Sequence, residues 1–345
     1  MNTFPKRVLS WTLLAMLTLV IGLLFLFVGE FFGIKTWTNQ SADIAVETRE
    51  QLVIFQDERS EAVLLFVGDI MLSRVVGTKM ETIGDYKYPF LEAANVLENV
   101  DLTFGNLEGP ISDRGQNQGS IYSFRADPRV VEGLSYAGID VLSLANNHIW
   151  DWGETALLDT ISLLARAGIT PVGAGANYEQ ANKPALFEIG KVKMAVLAYT
   201  NLLPKNLQAG YETPGLSDFD VDKVVEVVST LTEEGNLVVI LMHWGEEYKT
   251  SANNSQKEIA RVLIDAGADL IVGHHPHVVQ ELEQYGDGWV AYSLGNFVFD
   301  QSFSEDTMRG VALRVRVNSN GILEAKLMPV SINKNFQPSF VDDLL

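Results

Sequence analysis

The chain has 345 residues, with 44 acidic against 25 basic side chains, a formal net charge of −19 and no cysteine. An apolar content of 47% excludes a disordered chain, and the lack of any basic excess excludes nucleic acid as a partner, because nothing neutralises its phosphates. Without cysteine there is no disulfide framework, thiolate metal site, catalytic thiol or cysteine-linked lipid anchor.

In chain order, residues 1–7 form a short tip carrying Lys6 and Arg7, and residues 8–29 run 22 positions without a charge. A spanning helix needs about 20 apolar residues, so 8–29 reads as a single transmembrane signal-anchor. The basic flank puts the N-terminus in the cytoplasm and the rest of the chain outside, at the cell membrane. A cleaved signal peptide is the competing reading. Its apolar core is shorter than this run, and no small-x-small site directly follows. Residues 30–60 read as a polar spacer. From Glu30 onward the chain keeps all 44 acids but only 23 bases, a balance of −21 that favours solubility and repels anionic surfaces.

Residues 61–345 read as one α/β domain. Short apolar runs at 63–67, 102–104, 141–144, 170–172, 193–198, 237–242, 270–272 and 290–293 predict strands buried on both faces. Helical periodicity separates them at 154–167, 221–234 and 256–266. In the first helix, Leu157, Leu158, Ile161, Leu164 and Ala165 share a face. The alternating segments 310–317 and 322–330, joined by Asn-Ser-Asn-Gly, predict a β-hairpin.

Six polar clusters follow strands: Gly68-Asp69, Gly105 to Glu108, Asn146-Asn147-His148, His243-Trp244-Gly245, Gly273 to His277 and Gly295-Asn296. Ligands of open α/β sheets bind beyond the carboxyl ends of strands. All five histidines, His148, His243, His274, His275 and His277, lie in these clusters. Singly, each reads as a structural residue. Together with Asp69, Asn106, Glu108 and Asn147 they point to a metal centre. Imidazoles with carboxylate and amide oxygens, and no sulfur, suit Mn, Fe or Zn. One ion takes three or four protein ligands, so the set predicts two divalent ions, the arrangement that clamps both oxygens of a phosphoryl transfer. His148 is then free to act as general acid. The planar fork of Arg125 suits a phosphate or carboxylate, with a surface ion pair as the alternative. Glu246, Glu247 and Tyr248 are placed to orient His243 from behind, with a solvated loop as the alternative, and Asn296 to contact substrate or support a ligand. Trp244 reads as packing, and Gly68, Gly105, Gly273 and Gly295 as tight turns.

Seven strings then carry a resemblance: GDIMLSR (68–74), NLEGPIS (106–112), FRADP (124–128), LANNH (144–148), HWGEEY (243–248), GHHPHVVQ (273–280) and SLGNFVFDQ (293–301). In this order they resemble the CapA family of bacterial capsule proteins, the poly-γ-glutamate synthesis proteins of the PgsA type. That family is similar to calcineurin-like metallophosphoesterases, which implies a four-layer α/β sandwich with a two-metal site. By this resemblance Asp69 is the first carboxylate ligand, Glu108 the bridging one and Asn147 the amide ligand. His243, His275 and His277 are the imidazole ligands, His148 the catalytic histidine and His274 a support residue. Met71 departs from the pattern, standing where the superfamily has a histidine. The resemblance implies a role in synthesis, release or export of a capsule polymer, with membrane components of that machinery as partners and an anionic polymer or phosphoester as substrate. Two other readings stand beside it: a non-catalytic assembly subunit that inherited the site, and an amidase on γ-glutamyl peptides.

Overall fold

The computed structural model describes residues 53–55 and 59–341. The expected anchor at 8–29 and most of the expected spacer lie outside the described residues. Among those described, no helix is long and apolar enough to cross a membrane.

The chain begins with β1 (Val53–Phe55), β2 (Glu61–Ile70), α1 (Arg74–Ile83), α2 (Ala94–Leu97), β3 (Leu102–Leu107), α3 (Val131–Tyr136), β4 (Val141–Ser143), α4 (Gly153–Arg166) and β5 (Thr170–Val172). It continues with β6 (Ala174–Gly175), α5 (Tyr178–Asn182), β7 (Ala185–Ile189), β8 (Val192–Thr200), β9 (Gly215–Leu216), α6 (Val221–Glu233), β10 (Leu237–His243), α7 (Asn254–Asp265) and β11 (Leu270–His274). The last strands are β12 (Leu282–Tyr285), β13 (Gly288–Ala291), β14 (Asn296–Val298), β15 (Arg309–Asn318), β16 (Gly321–Ile332) and β17 (Pro338–Phe340).

Two large sheets result. One has the order β1-β7-β8-β10-β11-β13-β12, with β8, β10, β11 and β13 parallel. The other has the order β17-β16-β15-β2-β3-β4-β5, with β14 pairing β2 off that path. Its strands β2 to β5 are parallel, and the β15–β16 hairpin joins antiparallel along β2.

Period-two alternation explains the apolar runs. In β2, Leu64 and Phe66 enter a core between the sheets, while Leu65 and Val67 enter a second core beneath α1 to α4. In β10, Val239 and Leu241 face the shared core, while Val238, Ile240 and Met242 pack under α6 and α7. The layers therefore run helices, sheet, sheet, helices. Each fully buried large apolar side chain contributes about 1.5–3 kcal/mol, so runs buried on both faces are the economical way to hold two such sheets together.

Several details differ from the expectation. Val53–Phe55, inside the span read as spacer, pairs with β7 as an edge strand. The buried face of α4 is Ala156, Leu157, Thr160 and Leu164, and Ala165 is exposed. Thr160 belongs there because its hydroxyl takes the Ile111 N–H at 2.8 Å and donates to the Ala156 carbonyl at 2.7 Å. Gly68 and Gly273 are not turn residues. A Cβ on Gly68 would lie 2.0 Å from the Gly295 oxygen, and one on Gly273 would lie 1.9 Å from the Tyr292 oxygen. These glycines let neighbouring backbones close up directly behind Asp69 and His274.

Candidate metal centre

The parallel strands of both sheets bring their carboxyl ends to one edge. Asp69 is paired in register with Asn106 and with Asn296, and His243 with His274. Asp69, Glu108, His243, His274, His275 and His277 are all buried. Two sets of ligand atoms form, each within 4.8 Å of one another: Asp69, Glu108 and His243 in one, and Glu247, His275 and His277 in the other. The first set straddles the two sheets. Glu247, expected behind the ligands, contributes its own oxygen to the second set and is exposed.

The amides hold this arrangement. Asn106 Nδ2 donates to Asp69 Oδ1 at 2.8 Å and to Glu108 Oε2 at 3.4 Å, and its oxygen accepts from Asn146 Nδ2 at 3.1 Å. Asn147 Oδ1 accepts from His243 Nε2 at 2.9 Å, which leaves the His243 Nδ1 lone pair for another partner. His277 Nδ1 donates to Asn296 Oδ1 at 3.0 Å and lies 3.2 Å from Asp69 Oδ2, while its Nε2 faces Glu108 Oε1 at 3.5 Å. Asn296 is itself fixed by donating to Gln301 Oε1 and the Thr307 carbonyl. His274 points elsewhere: its Nε2 donates to the Val67 carbonyl at 3.2 Å, tying β11 to β2 across the sheets.

His148 approaches the same Glu108 oxygen as His277, with Nε2 4.0 Å from Oε1. Its Nδ1 donates to Asp151 Oδ2 at 2.8 Å, and that oxygen also accepts the Phe124 N–H at 2.8 Å. The ring stacks on Phe124 with centroids 4.0 Å apart. Asp151 is the orienting residue that sequence reading missed. Its signal was a carboxylate three positions after the histidine, inside one turn.

Electrostatics are strained by the concentration of ionisable groups. Burial would lift the Asp69 carboxyl, but the hydrogen bond and charge of His277 hold it below its usual range. Burial disfavours the His277 imidazolium, yet Glu108 and Asp69 push it up to about 9. Asp69 and His277 thus form the ion pair, and Glu108 is the carboxyl that burial pushes well above its ordinary value. Burial, reinforced by neighbouring histidines, lowers His243 far below 6.5 and His275 to about 4. Three ligand-type atoms, Glu108 Oε1, His243 Nδ1 and His275 Nδ1, are buried with no hydrogen-bond partner. An unpaired buried polar atom costs about 1–3 kcal/mol. Three together, on two carboxylate-imidazole sets, fit a cation.

Backbone strain marks the same edge. Among the described residues five non-glycine positions have a left-handed φ: Arg74 (53°), Tyr248 (64°), His275 (98°), His277 (59°) and Phe336 (64°). The first four lie in or beside the cluster, and such strain costs about 1–3 kcal/mol each.

Other expected residues fall elsewhere. The Arg125 guanidinium stacks 3.6 Å over Trp152 and donates to the Arg114 carbonyl, so it is not brought to the cluster. Trp244 is fully buried, with Nε1 donating to the Tyr292 carbonyl at 3.0 Å. Met71 is buried in the core beneath α1, its sulfur accepting from Ser73, so no imidazole replaces the absent histidine at that point.

Comparison with known proteins gives a consistent family. Residues 63–301 match the model for the bacterial capsule synthesis protein PGA_cap. The chain is similar to the capsule biosynthesis protein CapA of Bacillus anthracis, 34% identical over 87% of this chain and 72% of that one. It is also similar to the PGA biosynthesis protein CapA of Bacillus subtilis, 32% identical over 78% and 71%. Among solved structures it resembles the NAD nucleotidase of Haemophilus influenzae, with a TM-score of 0.47 at 12% identity, covering 82% of this chain and 54% of that one. The family match takes in both sheets' contributions to the cluster, from Asp69 to Asn296, and this chain belongs to the bacterial capsule synthesis protein PGA_cap family.

Proposed function

We propose that the chain acts in synthesis, release or export of a capsule polymer of the poly-γ-glutamate type, through a hydrolase-like site holding two divalent ions. The reading includes a membrane anchor at 8–29, an extracytoplasmic main domain and membrane partners in the same machinery. The observation that carries it is the pair of ligand sets with three unpartnered buried ligand atoms. Asp69, Glu108 and His243, with Asn147 beside them, would hold one ion, and Glu247, His275 and His277 the other. Bound there, Mn, Fe or Zn supplies Lewis-acid charge for an oxygen of a phosphoryl or acyl group.

The chain's own residues do the rest. Asp151 fixes His148 with its proton on Nδ1, so Nε2 faces Glu108 and the cluster. With its lone pair at Nε2, His148 can take a proton from an attacking water and then give that proton to a leaving oxygen or nitrogen. Asn106 holds the two carboxylates at fixed separation, and Asn296 aims His277. The same geometry serves a phosphodiester or a γ-glutamyl amide, so substrate scope separates hydrolase from amidase. Met71 in the apolar core, where a further imidazole is absent, favours a second reading: a polymer-handling subunit that keeps the ions without turnover.

Metal analysis of the full chain after loading with Mn, Fe and Zn tests the site. About two equivalents are expected, falling in His243→Ala and His277→Ala. Less than about 0.2 equivalents of every metal refutes it. Turnover of model phosphodiesters or γ-glutamyl peptides that vanishes in His148→Ala excludes the non-catalytic reading.

A further inference from the structure

Arg74 ends the GDIMLSR string and opens α1. Its guanidinium carbon lies 5.4 Å over the Phe124 ring, and Phe124 stacks on His148. Phe299 links the same wall to the cluster, edge-on to Phe124 at 5.9 Å and to His277 at 4.8 Å. One aromatic ring therefore separates this cation from the proton-carrying histidine.

Arg74 is only partly committed. Nη2 forms one ion-pair contact with Asp300 Oδ1 at 3.2 Å, which leaves its other N–H groups without an acceptor among the described residues. The other Asp300 oxygen accepts the Val75 N–H at 3.2 Å. The Asp300 side chain is fully buried and anchors the guanidinium through one nitrogen, so the rest of the fork stays available. Arg129, by contrast, spends Nε and Nη2 together on Asp127. The Arg74 side chain is 36% exposed and so reachable. Its backbone shares the left-handed strain of Tyr248, His275 and His277, a conformation kept where the surroundings fix a side chain for use.

Bound ions would offset part of the negative charge at this edge, and a cation beside them adds to the attraction for an anion. The site edge carries Asp69, Glu108, Asp151, Glu247 and Asp300, on a chain of net charge −19. An anionic molecule is repelled by that field unless a cation meets it locally. Arg125 is occupied by Trp152 and the Arg114 carbonyl, Arg114 by Asp159 and Arg129 by Asp127.

We propose that Arg74 is the anion-recognition residue of this site, gripping a carboxylate or phosphate oxyanion of the molecule whose reacting group meets His148. The proposal rests on the hydrolase-like reading of the cluster and adds how the substrate is held. The test compares wild type with Arg74→Gln, Arg74→Lys and Arg125→Gln as full, metal-loaded chains. Calorimetric titration at low salt measures Kd for inorganic phosphate and for a tri-γ-glutamyl peptide. Both Arg74 substitutions keep a Cβ, so the backbone strain is unchanged, and thermal unfolding checks the fold. Arg74→Gln is expected to weaken binding at least about tenfold, with Arg74→Lys losing less and Arg125→Gln unchanged. An effect on phosphate alone assigns the oxyanion to a phosphoester, and an effect on the peptide alone assigns it to a polymer carboxylate. Arg74→Gln within about twofold of wild type for both probes overturns the proposal, as does a wild type that binds neither more tightly than about 10 mM. Metal content is measured on the same samples. A chain that takes up no metal overturns the hydrolase-like reading, and the comparison between Arg74 variants still reads out by itself.

Discussion

Raising the pH of the metal-free chain should unlock the cluster. His277 is held at about 9 against an ordinary 6.5, despite full burial, by Glu108 and Asp69. Its folded value exceeds its unfolded one, so the folded state binds the proton more tightly. The stabilisation is fully present below pH 6.5 and is lost as pH rises through about 9. At about 1.4 kcal/mol per pKa unit the shift corresponds to about 3 kcal/mol, a figure that belongs to the Asp69–His277 pair jointly. Glu108, also raised, acts in the same direction from about pH 4.5 upward. A divalent ion displaces these protons and replaces their charge, so the metal-loaded chain keeps its stability at pH 9. Thermal unfolding of chelator-treated and metal-loaded chains between pH 6.5 and 9.5 is the assay. The metal-free midpoint should fall by roughly 6–10 °C while the loaded one stays level. In His277→Gln the metal-free slope should shrink to the part that Glu108 contributes. A flat metal-free profile, or one equally steep in His277→Gln, refutes the electrostatic argument.

Three further outcomes follow from the geometry. Asp151→Ala removes the acceptor that sets the His148 tautomer, so turnover of any substrate the wild type hydrolyses should fall at least about 100-fold with metal content unchanged; equal turnover refutes the orienting role. Gly273→Ala sets a Cβ 1.9 Å from the Tyr292 oxygen and 2.5 Å from Trp244 Nε1, forcing β11 and β13 apart. It should cost more than about 3 kcal/mol by urea unfolding, and a wild-type midpoint counts against the close-approach argument. Met71→His places an imidazole in the apolar core beneath α1 rather than at the cluster. Metal stoichiometry should stay the same while stability drops by about 2 kcal/mol or more, and a gain of bound metal would overturn that placement.

The sequence was most readable where one physical effect dominates. Runs such as 237–242 predict β10 because both faces of that strand are buried, and the loops after strands predict the cluster because ligands gather at carboxyl ends. Thr160 misled the periodicity of α4, since a hydroxyl that satisfies Ile111 packs like an apolar residue. Sequence singles out Arg125 as the cation for an anion and not Arg74. Only folding reveals that Trp152 takes the first, while the second keeps donors beyond its Asp300 contact. Glycines at 68 and 273 looked like turns because sequence cannot tell a left-handed φ from two backbones in contact.

The metal edge is assembled from two sheets that neither glycine contact joins, since Gly68 meets Gly295 beside β14 on the sheet of β2 and Gly273 meets Tyr292 beside β13 on the sheet of β11. Asp69 and Glu108 ride on one sheet, and His243, His275 and His277 on the other, so the cluster exists only if the sheets meet in fixed register. Two contacts at this edge set that register. His274 Nε2 reaches the Val67 carbonyl at 3.2 Å, and the His275 N–H reaches Asp69 Oδ2 at 3.3 Å. His274 is therefore the histidine that joins the sheets, and its neighbours are the ones that face the cluster. Both His275 and His277 adopt left-handed backbone to do so. That strain, with three unpaired buried ligand atoms, is a local cost the large shared core can absorb. An ion bound to Asp69, Glu108 and His243 would bond across the same seam, so its binding free energy would also be cohesion between the sheets.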